Sequence, residues 1–130
     1  MAERAAVERL VRETLGCTCP TEVFDRIEEG RVSLPGVAAP VRHLAIGGRL
    51  LVYLIEAEDP AQAASSLPTW VTAGQAQRDA AGMSRVRLVV LAAHPEVMTP
   101  LLRATWETLG GLDERVHLHV LPTEVAAGIP

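Results

Sequence analysis

Two apolar runs, Leu50-Leu51-Val52-Tyr53-Leu54-Ile55 and Leu88-Val89-Val90-Leu91-Ala92, restrict the folds open to this chain more than any other feature. A strand with one wet face alternates apolar and polar residues, whereas a run without alternation belongs to a strand covered on both faces. Such strands are typical of parallel sheets with helices packed above and below. The first run fits a strand over Arg49 to Glu56 and the second a strand over Val86 to Ala92.

The flanking segments complete an α/β pattern. Gly47-Gly48 separates Val41 to Ile46 from the strand at Arg49 to Glu56, a two-residue hairpin signal. Asp59-Pro60 opens a helical stretch that runs to about Gly82, with Pro68 expected to interrupt it and Ser66 able to cap the resumed helix. Pro95 to Leu109 reads as a helix, with Thr99-Pro100 suited to a cap and first position, and Val116 to Leu121 as the last strand. Helical crossovers between the last three strands make them parallel to one another, and the hairpin adds a further strand antiparallel.

Ahead of this unit the sequence predicts two helices. Ala2 to Leu15 carries Val7, Leu10, Val11 and Leu15 at spacings of three and four, and Gly16 stops it. Pro20 to about Glu29 places Val23, Phe24 and Ile27 on one face, with Gly30 as the stop. The loop that follows contains Pro35-Gly36 and has room for a short strand at Val32 to Leu34. The expected architecture is α/β, bordering on α+β: two N-terminal helices, then a mixed four-stranded sheet in the order ββαβαβ. With 130 residues this is one domain, a helical segment over 1–30 and a sheet core over 41–121. Val41 to Ile46 and Val116 to Leu121 are expected at the sheet edges.

Composition excludes several functions. The formal charge is -4 and the only aromatics are Phe24, Tyr53, Trp70 and Trp106, so neither a basic surface nor a stacking platform for nucleic acid is expected. The chain has no lysine, which excludes a Schiff base and a P-loop. No apolar run approaches the roughly 18 residues of a membrane span, and Glu3, Arg4, Glu8 and Arg9 do not suit a signal peptide. The expected compartment is the cytoplasm, where thiols stay reduced.

The chemistry-bearing motif is Cys17-Thr18-Cys19-Pro20, which contains both cysteines of the chain. On the predicted pattern Cys19 caps the second helix and Cys17 lies in the turn before it. A helix N-terminus favours a thiolate, and two sulfurs this close can chelate one soft ion or form a strained, readily reduced disulfide. Cys17 and Cys19 are therefore the expected catalytic thiols or metal ligands of a redox or metal-binding module. Two chains could donate four thiolates to one zinc or iron–sulfur centre, which implies a homodimer, with a redox or metal-transfer protein as partner. The plain alternative is a pair of packed cysteines in a non-catalytic, homo-oligomeric interaction domain.

His117 and His119 alternate with Val116, Leu118 and Val120, so both imidazoles share a sheet face. With Cys17 and Cys19 they would complete a Cys2His2 set. A solvated or partner-facing strand explains the same pattern. His94 and Asp59 each follow an apolar strand, at the carboxyl edge where open α/β sheets place their ligands. His94-Pro95-Glu96 could supply an acid/base pair there, although ordinary turn chemistry accounts for both residues. His43 is expected to face solvent or a neighbouring side chain. No nucleophile elbow, dinucleotide fingerprint or HExxH motif is present.

Overall fold

The two apolar runs lie side by side at the heart of one sheet. The structure is a computed structural model that describes residues 4–14, 16, 21–34, 37, 40–110 and 114–126. Among these residues the strands are β1 (Ile27–Val32), β2 (Val41–Ile46), β3 (Leu50–Glu56), β4 (Arg85–Ala92) and β5 (Val116–Pro122), in the spatial order β1-β2-β3-β4-β5. β3, β4 and β5 are parallel, while β1–β2 and β2–β3 are antiparallel. The helices are α1 (Arg4–Arg9), which continues as a π-helical turn over Leu10–Thr14, α2 (Pro60–Ala80) and α3 (Pro95–Thr108).

Both faces of the central strands are covered, which is why their sequences do not alternate. Leu51, Tyr53 and Ile55 of β3 and Leu88 and Val90 of β4 pack with Leu67 and Trp70 of α2 and Leu102 of α3. Leu50, Val52, Leu54, Val89 and Leu91 meet Val7, Leu10, Val11 and Phe24 on the other side. The result is a three-layer arrangement in which the N-terminal segment closes one face and the two crossover helices close the other. The hairpin forms where the sequence predicts it, with Gly47 and Gly48 at φ of 61° and 66°, a conformation open mainly to glycine, but the turn also takes in Arg49, so that Ile46 pairs with Leu50.

Five expectations need correction. The segment expected as a helix over Pro20 to Glu29 contains a 3-10 turn, Thr21–Asp25, followed by β1, so the sheet has five strands rather than four and β2 is not an edge. Phe24 and Ile27 still pack toward the same core, but a turn and a strand bring them there instead of helical spacing. Pro68 does not break α2. It lies on the exposed face, where water can satisfy the carbonyl that a proline leaves without its bond. Thr99 and Pro100 lie inside α3, whose cap position is His94, and the Thr99 hydroxyl donates to the Pro95 carbonyl at 2.6 Å. Leu15, Cys17, Cys19 and Pro20 lie outside the described residues, as does the Val23 side chain.

Gly30 shows why β1 escapes a helix-stop reading. It pairs with His43 across β1–β2, and a Cβ there would come within 2.5 Å of His43 Nε2. The glycine is needed for space, since the His43 ring lies over it and stands 6.0 Å from the Tyr53 ring. Gly30→Ala is expected to cost about 2 kcal/mol through overpacking. Combined with His43→Ala, the two losses should add to clearly less than their sum in urea unfolding. Strictly additive losses would show that the ring does not confine this position.

Candidate functional site

Two cavities open at the carboxyl edge of the parallel strands. The larger, about 480 Å³, opens where β3 leads into α2. Its lining includes Arg31 of β1, Arg42 of β2, Glu56, Glu58, Asp59 and Gln62, with Trp70 among the apolar residues. Its volume falls within the range of about 300–1,000 Å³ usual for small-ligand sites. The smaller, about 310 Å³, opens where β4 leads into α3 and is bounded by Glu58, Ala92, His94, Val97 and Met98. Glu58 borders both.

Local sequence explains how this edge is built. Asp59 precedes Pro60, and its carboxylate accepts hydrogen bonds from the Ala61 and Gln62 amides at 3.0 and 3.3 Å. Asp59 is thus the N-cap of α2, which fixes where the helix leaves the sheet. Glu56, at the end of β3, approaches Arg42 at 3.6 Å with its carboxylate largely in solvent. Arg31 and Arg42 are register partners on adjacent antiparallel strands. Two like charges directly opposite each other are unfavourable on a sheet surface, so their placement beside a cavity is notable. Sequence reasoning marked Asp59 and His94 but missed Arg31 and Arg42, because the strand that brings Arg31 beside Arg42 was read as helix and loop.

His94 stands at the mouth of the smaller cavity, 3.6 Å from Glu96, and both side chains are well exposed. Asp59 and His94 line neighbouring cavities and do not share one.

His117 and His119 do share a face, as their alternation predicts. Arg87 Nη1 lies 2.9 Å from His119 Nε2, and Arg85 Nη1 lies 3.5 Å from His117 Nε2. Since a guanidinium can only donate, the nearer contact makes His119 Nε2 the acceptor. Burial, with Arg87, His117 and Arg103 beside it, pushes His119 down to about 4, so the ring is neutral at pH 7. Adjacent guanidinium groups oppose a cation at this pair. Among the described residues no cluster of three or more metal-ligating side chains is present. Cys17 and Cys19 lie outside the described residues, so the geometry of a Cys2His2 set is not defined here.

His43 is half-buried, with its Nδ1 sealed from solvent and without a hydrogen-bond partner, and burial lowers its pKa. Tyr53 next to it is pushed up to about 12 by burial, and its hydroxyl donates to Gln77 Oε1. This group lies within the layer between sheet and α2 and serves packing. Among the described residues no helix is long and apolar enough to cross a membrane. Comparison with protein-family models, with curated proteins and with solved structures gave no match.

Proposed function

We propose that this chain is a small-ligand-binding α/β domain whose site is the 480 Å³ cleft at the carboxyl end of β3. The single observation that carries the reading is the cleft itself: a cavity of ligand size, lined by Trp70 and by charges of both signs and placed beside the first residues of a 21-residue helix. Open α/β sheets offer ligands this position because strand ends and helix starts leave a crevice there. Among the described residues no nucleophile–base pair lines the cleft, and binding is the reading we carry. Screening a chemically mixed fragment library by amide NMR tests it. Shifts concentrated at Ala57, Asp59, Gln62 and Arg42 are expected, and a library without effect at these amides would reject the proposal.

A second reading rests on the sequence. The two cysteines one residue apart favour a thiol-redox or metal module, with Cys17 and Cys19 as ligands or exchanging thiols and His117 and His119 as added ligands. Zinc or an iron–sulfur centre shared by a dimer, with a protein redox or metal-transfer partner in the cytoplasm, belongs to this reading. Inert cysteines in an oligomer would instead favour a non-catalytic interaction domain. Under the thiol reading, the Cys17→Ser/Cys19→Ser variant loses bound metal or thiol reactivity and keeps its melting temperature. Elemental analysis of anaerobically purified protein and thiol titration check this, and metal-free protein with unreactive thiols would exclude it.

A further inference from the structure

We propose that two copies of this chain join their sheets edge to edge through β1, antiparallel about a two-fold axis at Gly30, so that Glu29 of each copy faces Arg31 of the other. Among the described residues β1 is the last strand on its side of the sheet. It contains no proline, and Glu28, Glu29 and Arg31 are exposed. The Gly47 amide donates to the Arg26 carbonyl at 2.7 Å, and the Arg49 amide to the Ile46 carbonyl at 3.0 Å. These two bonds set the alternation along β1 and β2. Glu28, Gly30 and Val32 therefore turn their backbone groups toward β2, while Ile27, Glu29 and Arg31 turn theirs outward. An outward row of this kind is a template for another strand.

Symmetry and charge select both the occupant and the register. Joining two copies of one edge into a continuous sheet requires a two-fold axis normal to the sheet, which pairs each residue with one from its own face. The axis must then fall on a residue. Placed on Glu28, Glu29 or Arg31, it sets that charge directly against its own copy, which is unfavourable. Placed on Gly30, it sets Glu29 against Arg31 on both sides of the axis, and their outward backbone groups can exchange hydrogen bonds. Gly30 meets its own copy in the close, non-hydrogen-bonded position, with its Cβ direction already taken by the His43 ring. An axis nearer either end shortens the overlap. Charges on an edge strand ordinarily keep other strands away. In β1 they penalise the neighbouring registers and leave one arrangement that is complementary to itself.

Sedimentation equilibrium of the full chain at pH 7 should show a monomer–dimer equilibrium with a dissociation constant of about 100 μM, as befits a small interface. Glu29→Arg, which sets arginine against arginine twice, should weaken dimerisation about tenfold, and the charge swap Glu29→Arg/Arg31→Glu should restore it. Arg42 is the register partner of position 31 and suits the new glutamate, so the swapped chain keeps its fold and its melting temperature. Hydrogen exchange at the Ile27, Glu29 and Arg31 amides should slow as protein concentration rises, in the wild type and in the swapped chain alike. Cys17→Ser/Cys19→Ser should dimerise as the wild type does, which separates this interface from a dimer held by shared metal. A chain that stays monomeric at about 1 mM would overturn the proposal. So would a dimer indifferent to Glu29→Arg, a folded swapped chain that stays monomeric, or a dimer lost with the cysteines.

Discussion

Trp70→Ala should lower the unfolding free energy by about 4 kcal/mol, the largest loss expected from a single substitution in this chain. Trp70 is 1% exposed and packs with Leu51, Tyr53, Leu67 and Leu88 between α2 and the sheet. Removing an indole leaves a cavity that neighbours held by two strands and a helix can fill only in part. Against a total stability of about 5–15 kcal/mol for a domain of this kind, such a loss leaves the variant marginal near 37 °C. Urea unfolding at pH 7 reads the effect as a fall in midpoint with little change in slope. Because Trp70 also lines the cleft, the variant should lose ligand affinity beyond what unfolding explains. A loss below about 1 kcal/mol would mean that the α2–sheet layer is not the principal core.

Acid should destabilise the protein through His119. Its folded-state pKa is about 4 against an ordinary 6.5, so between these values the unfolded chain binds more protons than the folded one. The stabilisation is therefore complete above pH 6.5 and is lost as pH falls toward 4. A shift of this size corresponds to about 3 kcal/mol in full, and residual hydration of the partly exposed ring reduces the expectation to about 2 kcal/mol. The lowered pKa of His43, caused by burial, acts in the same direction below 6.5. Unfolding free energies measured from pH 7.5 to 4 should follow this slope. His119→Gln, whose amide oxygen can still accept from Arg87, should flatten most of it. An unchanged slope in that variant would assign the acid sensitivity elsewhere.

The sheet was legible because its central strands carry their environment in their composition. A run such as Leu50 to Ile55 admits few arrangements other than burial on both faces, and Gly47-Gly48 fixes the hairpin that leads into it. β1 was hidden because its cues are shared by a helix end: Phe24 and Ile27 sit three residues apart, two glutamates follow, and Gly30 looks like a stop. Its real reason for being glycine, the His43 ring on the neighbouring strand, is a tertiary fact. The cavity-bearing edge was half legible for the same cause. Asp59 and His94 follow apolar strands and could be placed by rule, whereas the opposition of Arg31 and Arg42 exists only once β1 and β2 are paired. The cysteine pair was the most conspicuous local motif, and its geometry belongs to residues outside those described.

The Arg103 guanidinium, reaching from α3 to the Leu118 carbonyl at 3.1 Å, bears on how the molecule resists self-assembly. β5 is the last strand of the sheet, and on this edge one carbonyl is already occupied by a cationic side chain while Pro122 at the strand's end has no N–H to give. An incoming strand would have to displace the arginine and would still find the ladder incomplete. Fibril growth by strand addition is thereby discouraged on the β5 side.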